Sequence, residues 1–312
     1  MIISASRRTD IPAWFGAWFS KRIEAGYFCF VNPFNAKQVK CYSLLPEDVD
    51  LFVFWTKNPK PFSKQLDNLD AKGYNYYFQF TLNDYPKVFE PKILPVAERI
   101  EIFRQLSNRV GKEKVIWRYD PIILSNITPV EYHMEKIYNI ARRLQGYTNR
   151  LTISFLDFYG KTENRLRKLY QEQGIECVDM TKDINILMKL AQEIKKLGNI
   201  FQLEVVTCSE KVELESIGIK HGACIDAKLI AEVFAITKQL PRDKNQRDEC
   251  QCAQSVDMGA YNTCFYQCTY CYANYSAKTI EKNRGQHYLD SPTLVGHVPE
   301  NIRIVESREK EI

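Results

Sequence analysis

Cys264, Cys268 and Cys271 fall within nine residues, CFYQCTYCY, with three and then two residues between them. Thiolates at such spacing can close on one metal centre. Structural zinc takes four ligands, typically as two short pairs, and iron–sulfur clusters usually take four thiolates. Three local ligands mean either a fourth from elsewhere in the chain or one open metal position, the mark of a catalytic site. Four further cysteines precede them: Cys208, Cys224, Cys250 and Cys252. They make a full ligand set for a second iron–sulfur cluster or a structural metal, or they share no site. Cys29, Cys41 and Cys177 are scattered and read as small buried residues. In a reducing compartment none of the ten cysteines is expected in a structural disulfide.

Other chemistries find little support. The four histidines, His133, His221, His287 and His297, are not spaced with the cysteines as a zinc finger requires. His221 lies three residues before Cys224 and reads as a satisfied loop histidine. There is no G-x-S-x-G, no G-x-x-x-x-G-K and no H-E-x-x-H. A lone nucleophilic cysteine would need a histidine partner, and the sequence nominates none.

The elements that must position these groups are legible. Six short runs are rich in Val, Ile, Phe, Tyr and Trp: 1–6, 50–56, 76–82, 114–120, 150–157 and 200–207. Most are apolar on both faces, as in parallel strands covered by helices. Helical patterns lie at about 12–26, 59–72, 93–110, 129–146, 163–172, 182–197 and 226–237, with Gly198 as a stop for the sixth. This alternation predicts an α/β fold with a parallel sheet, as a full or partial (β/α) barrel, with an open doubly wound sheet as the alternative. Residues 1–285 are expected to form one barrel-like domain and 286–312 a C-terminal tail, whose end, VESREKEI, reads as charged and frayed.

Polar residues collect where the strands end: Arg7, Arg8 and Asp10, then Lys57 and Asn58, then Asn83 and Asp84, then Arg118 and Asp120, then Asp157 and Lys161. Ligands of such folds bind there. Pro12, Pro59 and Pro121 mark nearby turns, so Asp10, Asn58 and Asp120 suit helix caps equally well. The arginine pair could hold a carboxylate or phosphate, or be salt-bridged within its loop.

No apolar run approaches the ~18 residues of a membrane span, and the N-terminus MIISASRRTDIPAWF lacks the build of a signal peptide. A cytoplasmic protein without a membrane partner is expected. The net charge of +5 permits a nucleic-acid partner without indicating one.

The motif CFYQCTYC resembles the cluster-binding motif of radical S-adenosylmethionine (SAM) enzymes. That resemblance implies a four-iron, four-sulfur cluster on Cys264, Cys268 and Cys271, with SAM on its unique iron and Tyr266 and Tyr270 shielding the cluster or packing on adenine. SASRRTDIPA, FWTKNP, WRYDP and YNTCFYQCTYCYAN are similar to the bacterial domain-of-unknown-function family 1848, described as carrying such a cluster at its C-terminus. Because the motif ordinarily follows the first barrel strand, its late position implies a circularly permuted barrel, with SVDMGAYNTC supplying a strand and loop. FWTKNP, FTLND and WRYDPI more distantly resemble spore photoproduct lyase. That likeness implies Lys57, Asn83, Asp120 and Arg118 on the SAM side and Arg7, Arg8 and Asp10 on the substrate side. The expected activity is reductive SAM cleavage on an unknown substrate, with a reductant such as flavodoxin or ferredoxin. The alternatives are a non-catalytic iron–sulfur or zinc electron carrier or sensor, and a DNA-lesion repair lyase.

Overall fold

A computed structural model describes residues 1–32, 35, 38–158, 160–298 and 305–306. The last six residues of VESREKEI lie outside the described residues. The strands are β1 (Ile2–Ala5), β2 (Tyr27–Val31), β3 (Val39–Ser43), β4 (Leu51–Thr56), β5 (Tyr76–Thr81), β6 (Val115–Ile122), β7 (Leu124–Ser125), β8 (Arg150–Phe155), β9 (Cys177–Val178), β10 (Glu204–Cys208), β11 (Lys220–Gly222), β12 (Val256–Asp257) and β13 (Val305–Glu306). The α-helices are α1 (Ile11–Trp14), α2 (Gly16–Ala25), α3 (Ser63–Ala71), α4 (Val96–Val110), α5 (Val130–Leu144), α6 (Gly160–Gln173), α7 (Ile184–Ile200), α8 (Ala227–Phe234) and α9 (Ala277–Gly285).

The protein is α/β, and its main sheet has eight strands in the order β11-β10-β8-β6-β5-β4-β1-β12. All six β-rich runs of the sequence form strands of this sheet. The described ladders do not close it into a ring; it is a large, mostly parallel sheet, consistent with the expected barrel-like architecture. The chain divides into two compact units.

Unit 1 comprises Met1–Tyr77, Ser255–Phe265 and Ala273–Ile312. Here β1 runs parallel to β4 on one side and to β12 on the other. Every residue of β1 is buried, as is every residue of β4 except Trp55. Phe19 of α2 packs edge-on against Phe52 and Phe54 of β4, and Trp18 donates from Nε1 to the Ser291 carbonyl. The helical run expected at 12–26 divides at Phe15 into α1 and α2. An antiparallel hairpin, β2–β3, was not foreseen; its turn region lies outside the described residues. In it Cys29 faces Cys41, and the two form a disulfide with Cα atoms 4.0 Å apart. The expectation of no disulfide is therefore corrected. Cys29 N–H donates to the Pro292 carbonyl and not across the ladder, the kind of position where opposed residues of a hairpin stand closest.

Unit 2 comprises Phe78–Gln254 and Tyr266–Tyr272. Neighbouring strands β5, β6, β8, β10 and β11 all run parallel. α4 turns Ile100, Phe103 and Leu106 inward, with Glu98 in its first turn and Arg109 in its last, matching the helix dipole. α7 starts at Asp183, whose side chain accepts from the Ile186 N–H at 3.2 Å. It runs through Gly198, so that glycine is not its stop. A Cβ on Gly198 would lie 2.4 Å from Val205 Cγ2; its absence lets α7 pack tightly on β10.

Candidate functional site

The ends of the unit 2 strands bring a set of polar and sulfur groups together. Arg118 and Asp120 share β6, two residues apart, so both side chains leave the same side of the strand. The guanidinium Nε donates to Asp120 Oδ2 at 3.0 Å, and Nη2 reaches the same oxygen. Ser154 Oγ donates to Asp120 Oδ1. Asn83 clamps the Asp120 backbone: its Oδ1 accepts from Asp120 N–H at 3.1 Å, and its Nδ2 donates to the Asp120 carbonyl at 3.2 Å.

The other edge of Arg118 faces sulfur. Its Nη1 lies 2.8 Å from Cys224 Sγ, and the guanidinium also hydrogen-bonds Cys208. Cys208 ends β10, Cys224 follows β11 by two residues, and their sulfurs are 2.9 Å apart. Gln79, an amide within the apolar run of β5, donates to the Cys224 carbonyl at 2.8 Å and accepts from Arg118 Nη1 at 3.3 Å. Beyond Cys224 the sulfurs continue: Cys252 hydrogen-bonds Cys224, and Cys250 hydrogen-bonds Cys252. Cys224, Cys250 and Cys252 are buried and Cys208 is half-buried.

The electrostatics separate the thiols. The hydrogen bond from Cys224, against the cost of burial and aided by the Arg118 charge, brings the Cys208 thiol down to about 7. The contacts with Cys208 and Cys252, together with burial, push Cys224 well up. The contact with Cys252 and burial likewise push Cys250 up. Arg118 holds its proton more tightly than usual: burial opposes its charge, but Asp120 and the two sulfurs outweigh that. Glu210, two residues beyond Cys208, accepts from Phe155 N–H at 2.8 Å. Burial, with Asp157, Cys208 and Asp120 nearby, raises its carboxyl to about 8.

Unit 1 gathers a different set. Asp10 caps α1 by accepting from Ala13 N–H at 2.9 Å, and its other oxygen accepts from Lys57 N–H at 2.7 Å. Burial raises its carboxyl to about 7. Asp257 accepts from Ser4 Oγ, Ser6 Oγ and the N–H groups of Arg7 and Gly259. The Arg7 guanidinium lies over Trp55, and that of Arg8 lies near the rings of both Phe30 and Tyr261. Arg7, Arg8, Asp10 and Lys57 thus belong to the ends of β1 and β4, while Asn83, Arg118 and Asp120 belong to unit 2.

A family model described as a domain of unknown function, DUF1848, matches residues 2–273. The chain belongs to the DUF1848 family. No curated protein matches it.

The cofactor expected of this DUF1848 chain is not supported by its side chains. Among the described residues, no group of three or more His, Cys, Asp or Glu is arranged to hold a metal ion. Cys264 belongs to unit 1 and Cys268 and Cys271 to unit 2. Cys268 and Cys271 lie near Arg165, which donates to the Cys271 carbonyl. Tyr270 packs with Tyr85 and Phe89 and donates to Glu90 Oε1 at 2.5 Å; it is a core residue and not a cluster shield. For the set Cys208, Cys224, Cys250 and Cys252 the distances decide. Thiolates on one tetrahedral zinc at ~2.3 Å stand roughly 3.8 Å apart. The Cys208 and Cys224 sulfurs are 2.9 Å apart and meet a guanidinium, so they hydrogen-bond and do not converge on a cation.

This overturns the four-iron cluster, the second cluster, SAM as its ligand, and the radical enzyme built on them. The iron–sulfur or zinc carrier and sensor, the photoproduct-lyase type of repair enzyme, and the flavodoxin or ferredoxin reductant fall with the same finding. No helix among the described residues is long and apolar enough to cross a membrane. His221 lies in β11 and not in a loop, with its Nε2 3.0 Å from Glu213 Oε1. Glu210, Gln79 and Ser154 were not foreseen as site residues. Gln79 had a signal, an amide inside an apolar strand; Glu210 had only its nearness to Cys208.

Proposed function

We propose that this DUF1848 chain is a thiol-dependent oxidoreductase acting on disulfides, with Cys208 as nucleophile and Cys224 as resolving thiol. One observation carries the reading: two sulfurs 2.9 Å apart at the ends of adjacent strands, with the buried Arg118 cation against them. The Cys208 thiolate attacks one sulfur of a substrate disulfide, giving a mixed disulfide and a leaving thiolate. Cys224 passes its proton to that thiolate and attacks Cys208 Sγ, releasing the second substrate thiolate. Two electrons have moved from the protein dithiol to the substrate, and Cys208 and Cys224 are joined. The role a histidine would fill is taken by Arg118, which holds the thiolate by charge and removes no proton. Asp120, Asn83 and Ser154 position Arg118; Lys57, Arg7, Arg8 and Asp10 belong to a polar cluster at the ends of β1 and β4.

A cytoplasmic location suits a centre that must return to a dithiol, while the Cys29–Cys41 disulfide is of a kind rare there. Residues 1–285 hold every residue of both polar clusters, and the start of 286–312 supports unit 1 through Ser291 and Pro292. The parallel pairing of β12 with β1 supports reading the sheet as derived from a circularly permuted barrel.

The test uses reduced full-length protein, oxidised glutathione as substrate and peptide mapping of the products. The expected result is a Cys208–Cys224 link in wild type, a glutathione adduct trapped on Cys208 in Cys224→Ser, and neither in Cys208→Ser. An unmodified Cys208 in wild type and in Cys224→Ser would overturn the assignment.

A further inference from the structure

The order of the sulfurs carries a second inference, which rests on the reading just given. Cys224 hydrogen-bonds Cys252 as well as Cys208, and Cys250 hydrogen-bonds Cys252. The segment that carries them is held in place by backbone bonds. Ala253 N–H donates to the Ile225 carbonyl at 2.9 Å and Asp243 N–H to the Cys252 carbonyl at 2.9 Å. Ile225 N–H donates to Cys252 Sγ at 3.4 Å, and Arg242 Nε to the Cys250 carbonyl at 2.8 Å. An ion pair, Arg247 Nη1 to Asp157 Oδ2 at 2.8 Å, ties the same segment to the end of β8. The Cys-Gln-Cys pair is therefore presented to Cys224 by the fold.

We infer that Cys252 and Cys250 form a second dithiol that reduces the Cys208–Cys224 disulfide. Cys252, as thiolate, attacks Cys224 Sγ, and Cys208 leaves as thiolate beside Arg118. Cys250 then attacks Cys252 Sγ and passes its proton to Cys224, which leaves. The two protons lost by Cys252 and Cys250 go to Cys224 and to water. Two electrons have moved, the Cys250–Cys252 disulfide remains, and an external small dithiol reduces it. One chain thereby stores four electrons and can reduce two substrate disulfides before it needs that dithiol. The low proton affinity of Cys208 makes it the better leaving group, which sets the direction of the first exchange.

The experiment is anaerobic. Reduced full-length protein, freed of reductant, receives one and then two equivalents of oxidised glutathione. Differential alkylation and peptide mapping then locate the bonds. With one equivalent the relay places the new bond at Cys250–Cys252 in most chains and leaves Cys208 open to alkylation. With two equivalents both bonds are present. In Cys252→Ser the bond after one equivalent stays at Cys208–Cys224. If wild type holds only Cys208–Cys224 at both doses, the relay is overturned while the proposed function stands. If neither bond forms, both are overturned. The wild-type maps decide even if the variant does not fold.

Discussion

Arg118 and Asp120 stand two residues apart on β6 and close an ion pair whose opposite edge is a hydrogen bond to sulfur. The carboxylate fixes the plane of the guanidinium, and the guanidinium in turn fixes where a thiolate is stable. Arg118 is 4% exposed, so its removal leaves both Asp120 and Cys208 without their cation.

Replacing Arg118 with methionine, close in length and uncharged, removes one of the two influences that lower the Cys208 thiol, the other being the Cys224 hydrogen bond, and so raises it. At pH 7 the thiolate fraction falls below that of wild type. Iodoacetamide labelling of the Cys208 peptide at pH 7 slows roughly threefold. In wild type the labelling rate rises with a midpoint near pH 7, following the lowered Cys208. Stability falls as well, by about 3–5 kcal/mol, because Asp120 loses its partner. A labelling profile unchanged by the substitution would remove Arg118 from the site.

Asp10 gives the fold a pH dependence of unusual sign for a carboxylate. Its folded value, about 7, lies above the ordinary 3.8. Between these values the folded chain keeps a proton that the unfolded chain releases. Stability therefore falls as pH rises from about 4 to about 7, by on the order of a few kcal/mol. Glu210, raised to about 8, acts in the same direction. Urea midpoints measured across this window decrease in wild type and are flatter in Asp10→Asn.

Gly198→Ala places a methyl 2.4 Å from Val205 Cγ2 and 3.1 Å from the Leu203 carbonyl. α7 must then move off β10, the strand that ends in Cys208. Overpacking of this kind costs about 1–3 kcal/mol. Thermal unfolding reports the loss, and slower Cys208 labelling in the same variant reports the displaced strand end.

Non-reducing peptide mapping finds Cys29 joined to Cys41. A link closing a loop of this length stabilises by about 3 kcal/mol, so Cys29→Ser with Cys41→Ser lowers the melting temperature by several degrees.

Much of the framework was legible because the parallel strands are buried on both faces and therefore read as unbroken apolar runs. LFVFWT and YYFQFT are such runs, and both form strands of the main sheet. β11 was not, since a strand of three residues carries no periodicity, and β12 was placed in SVDMGAYNTC only through the family resemblance. Gly198 misled because a glycine near the end of a helical pattern suits a stop and a tight packing contact equally. The cysteines misled for a similar reason: spacing shows that thiols can meet, not whether they meet around a cation or each other. The Arg118 contact, across 106 positions, leaves no local trace in the sequence.

Unit 1 draws its sheet from both ends of the chain, and Asp257 is bonded to Ser4, Ser6 and Arg7 across about 250 positions. During synthesis the first strand therefore leaves the ribosome long before the neighbour that completes it. Until residue 257 appears, β1 has an unfilled edge of backbone donors and acceptors, the kind that recruits other chains. Nascent chains halted before that point should depend on chaperones in a way the finished protein does not.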